Sequence, residues 1–323
     1  MFLVKIVLYF LLNLDLILIT SSPYNKEITF LAKKLDNVMR LSDQELSAVK
    51  TFVYFSPPSY CLEGLLNWTC TTCGEQTTNT SHVKAFGDFK YIFGYTAVNT
   101  NLQLIIISFR GTRNFKSWMG NIKFAQLDYP YEGAPEGAKV HGGFLHEYNS
   151  VKEEVIANIL ELTSMYPNFQ ILFVGHSLGG ALSVLSLIDL KLKYPEMEMK
   201  KINLITIAQP RIGNYIFSKW INEQFSNLNN YFRIVNKNDA TPHLPPSLFG
   251  FKHSGVEIWI NLVNESYYCI PDDDMLESKL CSNTQHGLSV ATHKHCWDID
   301  IGNSRCSIDD DIYYHNLDEI LID

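Results

Sequence analysis

The chain has 323 residues, of which 46% are hydrophobic and 19% charged, and its formal net charge is −8. A chain of this length can bury one large hydrophobic core or two modest ones. The negative charge and the lack of a long basic run argue against a nucleic-acid-binding protein, and they give no electrostatic attraction towards anionic membranes.

The first 22 residues are predicted to be a secretory signal. Lys5 supplies a short positive segment, residues 6–19 are apolar apart from Asn13 and Asp15, and small residues follow. An uncleaved anchor is the alternative, but the stretch is short for a bilayer span and carries a charge. We therefore expect a cleaved signal over residues 1–22, a single domain over residues 23–323, and no transmembrane span in the mature chain.

Glycosylation patterns and cysteines also favour a secreted protein. Acceptor triplets for N-glycosylation begin at Asn67, Asn79 and Asn264. Seven cysteines lie towards the two ends of the mature chain: Cys61, Cys70, Cys73, Cys269, Cys281, Cys296 and Cys306. In an oxidising compartment they are expected to form disulfides, and three bonds would leave one cysteine over. A zinc site combining Cys70 and Cys73 with the later His293, His295 and Cys296 is disfavoured, because the spacing fits no standard zinc module.

Helical and extended patterns alternate along the rest of the chain. The capping-box pattern Ser42-Asp43-Gln44-Glu45 predicts a helix that ends before Pro57. Residues 91–98 and 102–109 flank a polar turn, which is typical of a β-hairpin. Helices are also predicted over 151–165 and 214–225, and strands over 202–208, 231–235 and 256–260. This order predicts an α/β fold with a mostly parallel central sheet that is flanked by helices.

The motif Gly175-His176-Ser177-Leu178-Gly179-Gly180 has the form of a nucleophile elbow. An apolar run at residues 170–174 predicts a buried strand before it, and apolar residues up to 192 predict a buried helix after it. Gly175 and Gly179 stand where a side chain would collide with the neighbouring strand or helix. Ser177 is therefore the predicted nucleophile of a serine hydrolase, rather than an incidental serine in a glycine-rich turn.

A serine nucleophile needs a base, usually a histidine that a carboxylate orients, and on this type of fold the chain order is serine, acid, histidine. Asp239 lies in a polar turn just after the strand over 231–235, so it is the candidate acid, although it could merely shape that turn. The base stays open between four later histidines: His286, His293, His295 and His315. An oxyanion hole is expected from the backbone N–H groups of Leu178 and Thr112.

Several segments together resemble the class 3 lipases, the filamentous-fungal triacylglycerol lipase family of the α/β-hydrolase superfamily. They include Ser108-Phe109-Arg110-Gly111-Thr112, His141-Gly142-Gly143-Phe144, the Gly175–Gly180 motif, Pro210-Arg211-Ile212-Gly213-Asn214, and Asn238-Asp239 followed by Pro242-His243-Leu244-Pro245-Pro246. The resemblance implies an α/β-hydrolase fold, with Ser177 as nucleophile, Asp239 as acid, and Thr112 and Leu178 as oxyanion donors.

The same resemblance implies a base and two disulfides. Asp311-Ile312-Tyr313-Tyr314-His315 resembles the final segment of the family, which favours His315 as the base over His293 or His295. It also implies a Cys70–Cys73 bond and a bond from Cys61 to Cys296 or Cys306.

A short helical lid is implied directly after Thr112, over residues 113–121. Phe115, Trp118 and Met119 would face the active site when the lid is closed and lipid when it is open. The alternative is a short surface helix whose aromatic side chains pack into the core.

The resemblance implies a secreted serine lipase that cleaves carboxylic esters of acylglycerols at a lipid–water interface, with no metal and no organic cofactor. A feruloyl esterase or a phospholipase would share the mechanism on the same scaffold. A non-catalytic secreted binding protein is the alternative of a different class.

Overall fold

A computed structural model describes residues 37–113, 124–195, 197, 202–224, 230–271, 276–302 and 306. The signal expected over residues 1–22 therefore lies outside the described residues. The helices are α1 (Asp43–Val53), α2 (Gly142–Met165), α3 (Leu178–Lys193) and α4 (Tyr215–Gln224). The strands are β1 (Val38–Arg40), β2 (Thr80–Gly87), β3 (Phe93–Asn99), β4 (Leu104–Phe109), β5 (Gln126–Asp128), β6 (Lys139–His141), β7 (Gln170–His176), β8 (Ile202–Ile207), β9 (Gly213–Asn214), β10 (Tyr231–Asn236), β11 (Phe251–Lys252), β12 (Val256–Ile260), β13 (Ser266–Cys269), β14 (His295–Cys296) and β15 (Ile299–Asp300).

Local sequence signals explain where the first helix begins. The Ser42 side chain accepts a hydrogen bond from the Glu45 N–H, and the Glu45 carboxylate accepts one from the Ser42 N–H. Both hydrogen bonds of the predicted capping box are thus present, and α1 starts at Asp43, directly after Ser42. Helix α2 begins nine residues before the predicted start, at Gly142 rather than 151. There the ring of His141 accepts a hydrogen bond from the Phe144 N–H and caps the helix.

The main sheet has nine strands in the order β1-β13-β12-β10-β8-β7-β4-β3-β2. Its centre, from β4 through β7, β8 and β10 to β12, is parallel, and both edges are antiparallel. The α/β class, the parallel centre and the β3–β4 hairpin are confirmed. Parallel strands end at one edge of a sheet, and that edge is where α/β proteins place their binding sites. The turns after β7 and β10 therefore lie near each other.

Helices cover both faces of this sheet, as predicted. Ile105 and Ile107 of β4 pack in the same cluster as the buried faces of α2 and α3. Ile106, between them, belongs to the cluster on the opposite face, with Val49 and Phe52 of α1. This alternation follows from the two-residue period of a strand. The two cores hold the central strands, and with them the turns at their carboxyl ends, in fixed positions.

Three disulfides join cysteines that the sequence left open or assigned only by resemblance. Cys70 pairs with Cys73, and Cys61 with Cys306. Both agree with the pairs that the resemblance implied, and they choose Cys306 over Cys296. The third bond joins Cys269 to Cys281. Because Cys70 and Cys73 are bonded to each other, neither thiolate is available for the zinc site considered above.

Cys296 is the cysteine left over, and it is buried. Burial raises the pKa of its thiol well above the usual value.

Asn67, Asn79 and Asn264 are all exposed. A glycan could reach each of them, and their glycosylation stays a prediction. Among the helices that the structure describes, none is both long and apolar enough to cross a membrane.

Candidate active site

The turn between β7 and α3 holds Ser177 in a backbone conformation that residues with a side chain rarely adopt. Its φ is 57° and its ψ is −126°. A Cβ atom at Gly175 would lie 2.2 Å from the Gly179 carbonyl oxygen, and one at Gly179 would lie 2.2 Å from the Phe109 carbonyl oxygen. Glycine is required at both positions because strand and helix backbones meet there. The predicted strand–turn–helix setting of the nucleophile elbow is confirmed.

Ser177 is buried, with 1% of its surface exposed. Its Oγ makes no hydrogen bond to any residue in the described part of the chain. Leu178 is the first residue of α3, so no carbonyl within the helix can accept its N–H. The positive end of the helix dipole adds to that donor. A negative charge that develops on a substrate oxygen beside Ser177 would therefore be stabilised here.

The chain after β4 passes directly over the elbow. A Cβ atom at Gly111 would lie 2.9 Å from the Ser177 Cβ and 2.8 Å from the His176 carbonyl oxygen. Thr112 is the next residue in the chain after this close approach. The Thr112 hydroxyl is buried and has no hydrogen-bond partner among the described residues. This arrangement is compatible with Thr112 and Leu178 as the two oxyanion donors, and that role remains a proposal.

The acid predicted from the sequence is fully buried beside a histidine. Asp239 Oδ2 lies 2.9 Å from His293 Nδ1, and Asp239 Oδ1 accepts a hydrogen bond from the Thr241 N–H at 2.9 Å. The Thr241 hydroxyl also lies 2.8 Å from His293 Nδ1. A carboxylate only accepts, so we assign the proton of the neutral ring to Nδ1. Nε2 then carries the lone pair that a general base needs.

The histidine beside Asp239 is therefore His293, whereas the family resemblance favoured His315. His315 lies outside the described residues. His293 is buried with Asp239, and its ring centroid lies 4.6 Å from that of His176, which directly precedes the nucleophile. His295, the other alternative, is half exposed and lies 3.9 Å from Asp300. Among the described histidines, His293 is therefore the one that contacts the predicted acid, and we propose it as the base; His315 stays an untested prediction.

Backbone pairing places His293 at the carboxyl edge of the sheet. The Ala240 N–H donates to the Ser289 carbonyl, and the Ser289 N–H donates to the Asn238 carbonyl. The loop that precedes His293 is thus bonded to both neighbours of Asp239. These bonds join residues about fifty positions apart and leave no periodic pattern in the sequence. The same is true of Thr241, whose contact with both Asp239 and His293 the sequence analysis missed.

A buried ion pair fastens the segment that carries the candidate base. Arg211 donates two hydrogen bonds of 2.8 Å to the carboxylate of Glu277, and it also donates to the carbonyls of His243 and Pro245. Burial by itself would raise the pKa of Glu277, but the hydrogen bonds from Arg211 and the nearby positive charge hold it well below its usual value. Glu277 therefore stays charged and keeps this segment attached to the loop after β8.

The predicted lid residues Phe115, Trp118 and Met119 lie outside the described residues, so the lid stays a prediction. Several described residues elsewhere in the chain are apolar and exposed. The ring of Phe249 contacts that of Phe124, with centroids 5.1 Å apart, and Leu248 is 90% exposed. Leu288 and Val290 are also exposed, on the loop that leads to His293.

Comparison with known proteins identifies the family of the chain. The family model described as lipase (class 3) matches residues 106–249. A lipase from Rhizomucor miehei is 32% identical over 259 residues, which cover 78% of this chain and 69% of the relative. The chain belongs to the class 3 lipase family. The secreted mono- and diacylglycerol lipase A of Penicillium cyclopium is 30% identical over 63% of this chain and 65% of its own length.

The fold is similar to that of a solved triacylglycerol lipase whose catalytic centre is formed by a serine protease triad. The TM-score is 0.72 at 31% identity, and the match covers 82% of this chain and 98% of the other. The α/β-hydrolase fold and the family resemblance are thereby confirmed. The match to the family model covers residues 106–249, which include Ser177 and Asp239 but not His293.

Proposed function

We propose that this protein is a serine lipase that hydrolyses carboxylic esters of acylglycerols through Ser177, His293 and Asp239. The observation that carries the proposal is the 2.9 Å hydrogen bond between buried Asp239 and His293, formed beside a serine in a strained elbow. Three such groups in chain order serine, acid, histidine suit acyl transfer to the serine oxygen.

In the proposed reaction, Ser177 Oγ attacks the ester carbonyl carbon while His293 Nε2 takes the hydroxyl proton. The N–H groups of Leu178 and Thr112 stabilise the negative oxygen of the tetrahedral intermediate. Asp239 stabilises the positive charge of the His293 ring. His293 then gives its proton to the leaving alcohol, which leaves an acyl group on Ser177. Water, deprotonated by His293, attacks that acyl-enzyme and releases the fatty acid.

The test of the nucleophile is Ser177→Ala, with Ser186→Ala as its matched control. Ser186 is a buried serine on the same helix α3, and its removal should leave catalysis intact. Loss of the nucleophile typically costs about 10⁶-fold in kcat. We expect a fluorophosphonate probe to label the wild type and Ser186→Ala but not Ser177→Ala. Ester hydrolysis that survives in Ser177→Ala would contradict the proposal, and so would a wild type that the probe does not label.

Acylglycerols are favoured over soluble esters by the apolar residues around the site. Leu288 and Val290, on either side of the Ser289 that pairs with the neighbours of Asp239, are exposed, as are Leu248 and Phe249. Exposed apolar side chains at a binding site favour contact with lipid or another apolar partner. The names of the relatives, lipases of tri-, di- and monoacylglycerols, support the same substrate class. Emulsified long-chain triacylglycerol should therefore be hydrolysed faster than a soluble feruloyl ester or a phospholipid. Faster turnover of either alternative would change the substrate assignment.

We also propose that the protein is secreted. The charged and then apolar start of the chain, three disulfides and a relative described as secreted support this. Expressed in a eukaryotic host, the protein recovered from the medium should lack residues 1–22, which N-terminal sequencing would show. A product that stays in the cell with an intact start would contradict secretion.

A further inference from the structure

The side chain of His176, inside the elbow motif itself, connects two parts of the active site. His176 is buried, and its Nδ1 lies 2.6 Å from the Tyr60 hydroxyl oxygen. Its Nε2 lies 2.8 Å from the backbone carbonyl oxygen of His293. The mechanism above uses neither of these bonds. The imidazole therefore touches the backbone of the candidate base from the residue that precedes the nucleophile.

The donor and the acceptor of each of these hydrogen bonds follow from the groups at the two ends of the series. The carbonyl of His293 only accepts, so His176 Nε2 must donate, and the neutral ring then accepts at Nδ1. The Tyr60 hydroxyl consequently donates to Nδ1. The Tyr60 oxygen in turn accepts from the Gly111 N–H at 3.0 Å. A single directed chain thus runs from Gly111 through Tyr60 and His176 to His293.

The two side chains in this hydrogen-bond series, His176 and Tyr60, stay neutral around neutral pH. Burial lowers the pKa of His176 well below its usual value, and the neighbouring His293 lowers it further. Burial raises the pKa of the Tyr60 hydroxyl above its usual value, against the opposing effect of Arg110. The donor and acceptor roles therefore do not change with pH.

We propose that His176 and Tyr60 are positioning residues that fix the oxyanion loop and the base relative to each other around Ser177. The inference rests on the proposed function. Gly111 directly precedes the proposed oxyanion donor Thr112, and the His293 backbone carries the imidazole that serves Ser177. Because the hydrogen bonds hold Gly111 at one end and the His293 backbone at the other, they set the distance from the oxyanion donors to the base. Buried hydrogen bonds hold such distances better than exposed ones, because a buried group without its partner is costly.

The expected effect is on turnover rather than on substrate binding. A displacement of about 1 Å in a catalytic group can cost about 100-fold in rate. His176→Phe, which removes both bonds, should lower kcat by about that factor and leave KM within about twofold. Tyr60→Phe keeps the aromatic ring and should lower kcat by about tenfold, since a donor to His176 and an acceptor for Gly111 are both lost.

Two amide variants distinguish the contribution of the bond to the His293 carbonyl from that of the bond to Tyr60. In His176→Gln the terminal amide N–H can take the place of Nε2 and donate to the His293 carbonyl. In His176→Asn the amide oxygen can take the place of Nδ1 and accept from Tyr60. If the link to the base matters most, Gln should restore most of the kcat that Phe loses, and Asn should restore less.

Tyr148→Phe is the matched control. The Tyr148 hydroxyl is also buried and donates at 2.7 Å to Asp189, a residue on α3 twelve positions after Ser177. We expect Tyr60→Phe and Tyr148→Phe to lower the melting temperature by similar amounts, but only Tyr60→Phe to lower kcat and the rate of fluorophosphonate labelling. These rates are measured at a temperature where every variant is folded, as judged by circular dichroism.

One result would overturn the positioning role: kcat unchanged in Tyr60→Phe and His176→Phe, with only the melting temperature lowered. Loss of kcat in Tyr148→Phe to the same extent as in Tyr60→Phe would also overturn it. If His176→Phe does not fold, two comparisons still test the positioning role: His176→Gln against His176→Asn, and Tyr60→Phe against Tyr148→Phe. A failure of the proposed function itself is distinct, because the wild type would then not react with the probe.

Discussion

Asp239→Asn tests the assignment of acid and base together, because the structure dictates how the new amide would orient. Asp239 Oδ1 accepts the Thr241 N–H, so the amide oxygen of the asparagine must occupy that position. The amide NH₂ then faces His293 Nδ1, where Oδ2 stood. That NH₂ can only donate, which forces the ring proton of His293 from Nδ1 to Nε2. The nitrogen that should accept the Ser177 proton would carry a proton already.

The expected loss follows from this tautomer. The same substitution in serine-protease triads lowers kcat about 10⁴-fold with the geometry intact. Four factors of ten at about 1.36 kcal/mol each correspond to about 5 kcal/mol of transition-state stabilisation. Stability should change far less, because Asn has nearly the same volume as Asp and keeps the bond from Thr241.

Initial rates on a soluble p-nitrophenyl ester, compared with melting temperatures, would measure this loss without interference from an interface. Asp189→Asn is the control, since Asp189 is another fully buried carboxylate and lies on α3 outside the site. We expect the control to keep the wild-type kcat within about threefold, as is usual for a change that removes no transition-state contact. If kcat falls by less than about 100-fold in Asp239→Asn, the tautomer argument is wrong, because a triad acid is expected to give a much larger loss.

Three further predictions follow from the contacts around the site. His293→Ala should lower kcat by about 10⁶-fold while His315→Ala stays near the wild type, and the reverse result would restore His315 as the base. Glu277→Gln should lower the free energy of unfolding by about 3 kcal/mol at pH 7, measured by urea denaturation, because Arg211 keeps a buried charge without its partner. Since folding lowers the pKa of Glu277, its stabilisation is full above the unfolded pKa of about 4.3 and is lost as the pH falls through the folded value. The difference between wild type and variant should therefore shrink below about pH 4, and a difference that grows there would contradict the sign. Cys296 should react with iodoacetamide only after unfolding, as mass spectrometry would show, because its thiol is buried and its pKa raised.

The parts of the site that the sequence predicts are those fixed by local rules. The elbow depends on glycines at set positions next to a strand and a helix, so Ser177 stands out in a short window. Asp239 follows a strand whose apolar run is easy to recognise. His293 has no such signature, because hydrogen bonds between chain segments far apart in sequence fix its position. The resemblance to the family therefore favoured His315, which ends a short motif, over a histidine in a stretch that matches the family poorly.

This division has a physical consequence for how the active site can vary. The central parallel strands carry the proposed nucleophile and acid, and the positions of these strands cannot shift without disturbing both cores. The proposed base, His293, lies on a segment held by a few separate contacts: the Cys269–Cys281 disulfide, the Arg211–Glu277 ion pair, and the backbone hydrogen bonds of Ser289. Such contacts can hold the imidazole at Asp239 for different lengths of the segment between Asp239 and His293. The reason is that the entropic cost of closing a loop rises only slowly with its length. The sequence position of the base can therefore vary while its place beside the acid, and its bond to His176 of the elbow, stay the same.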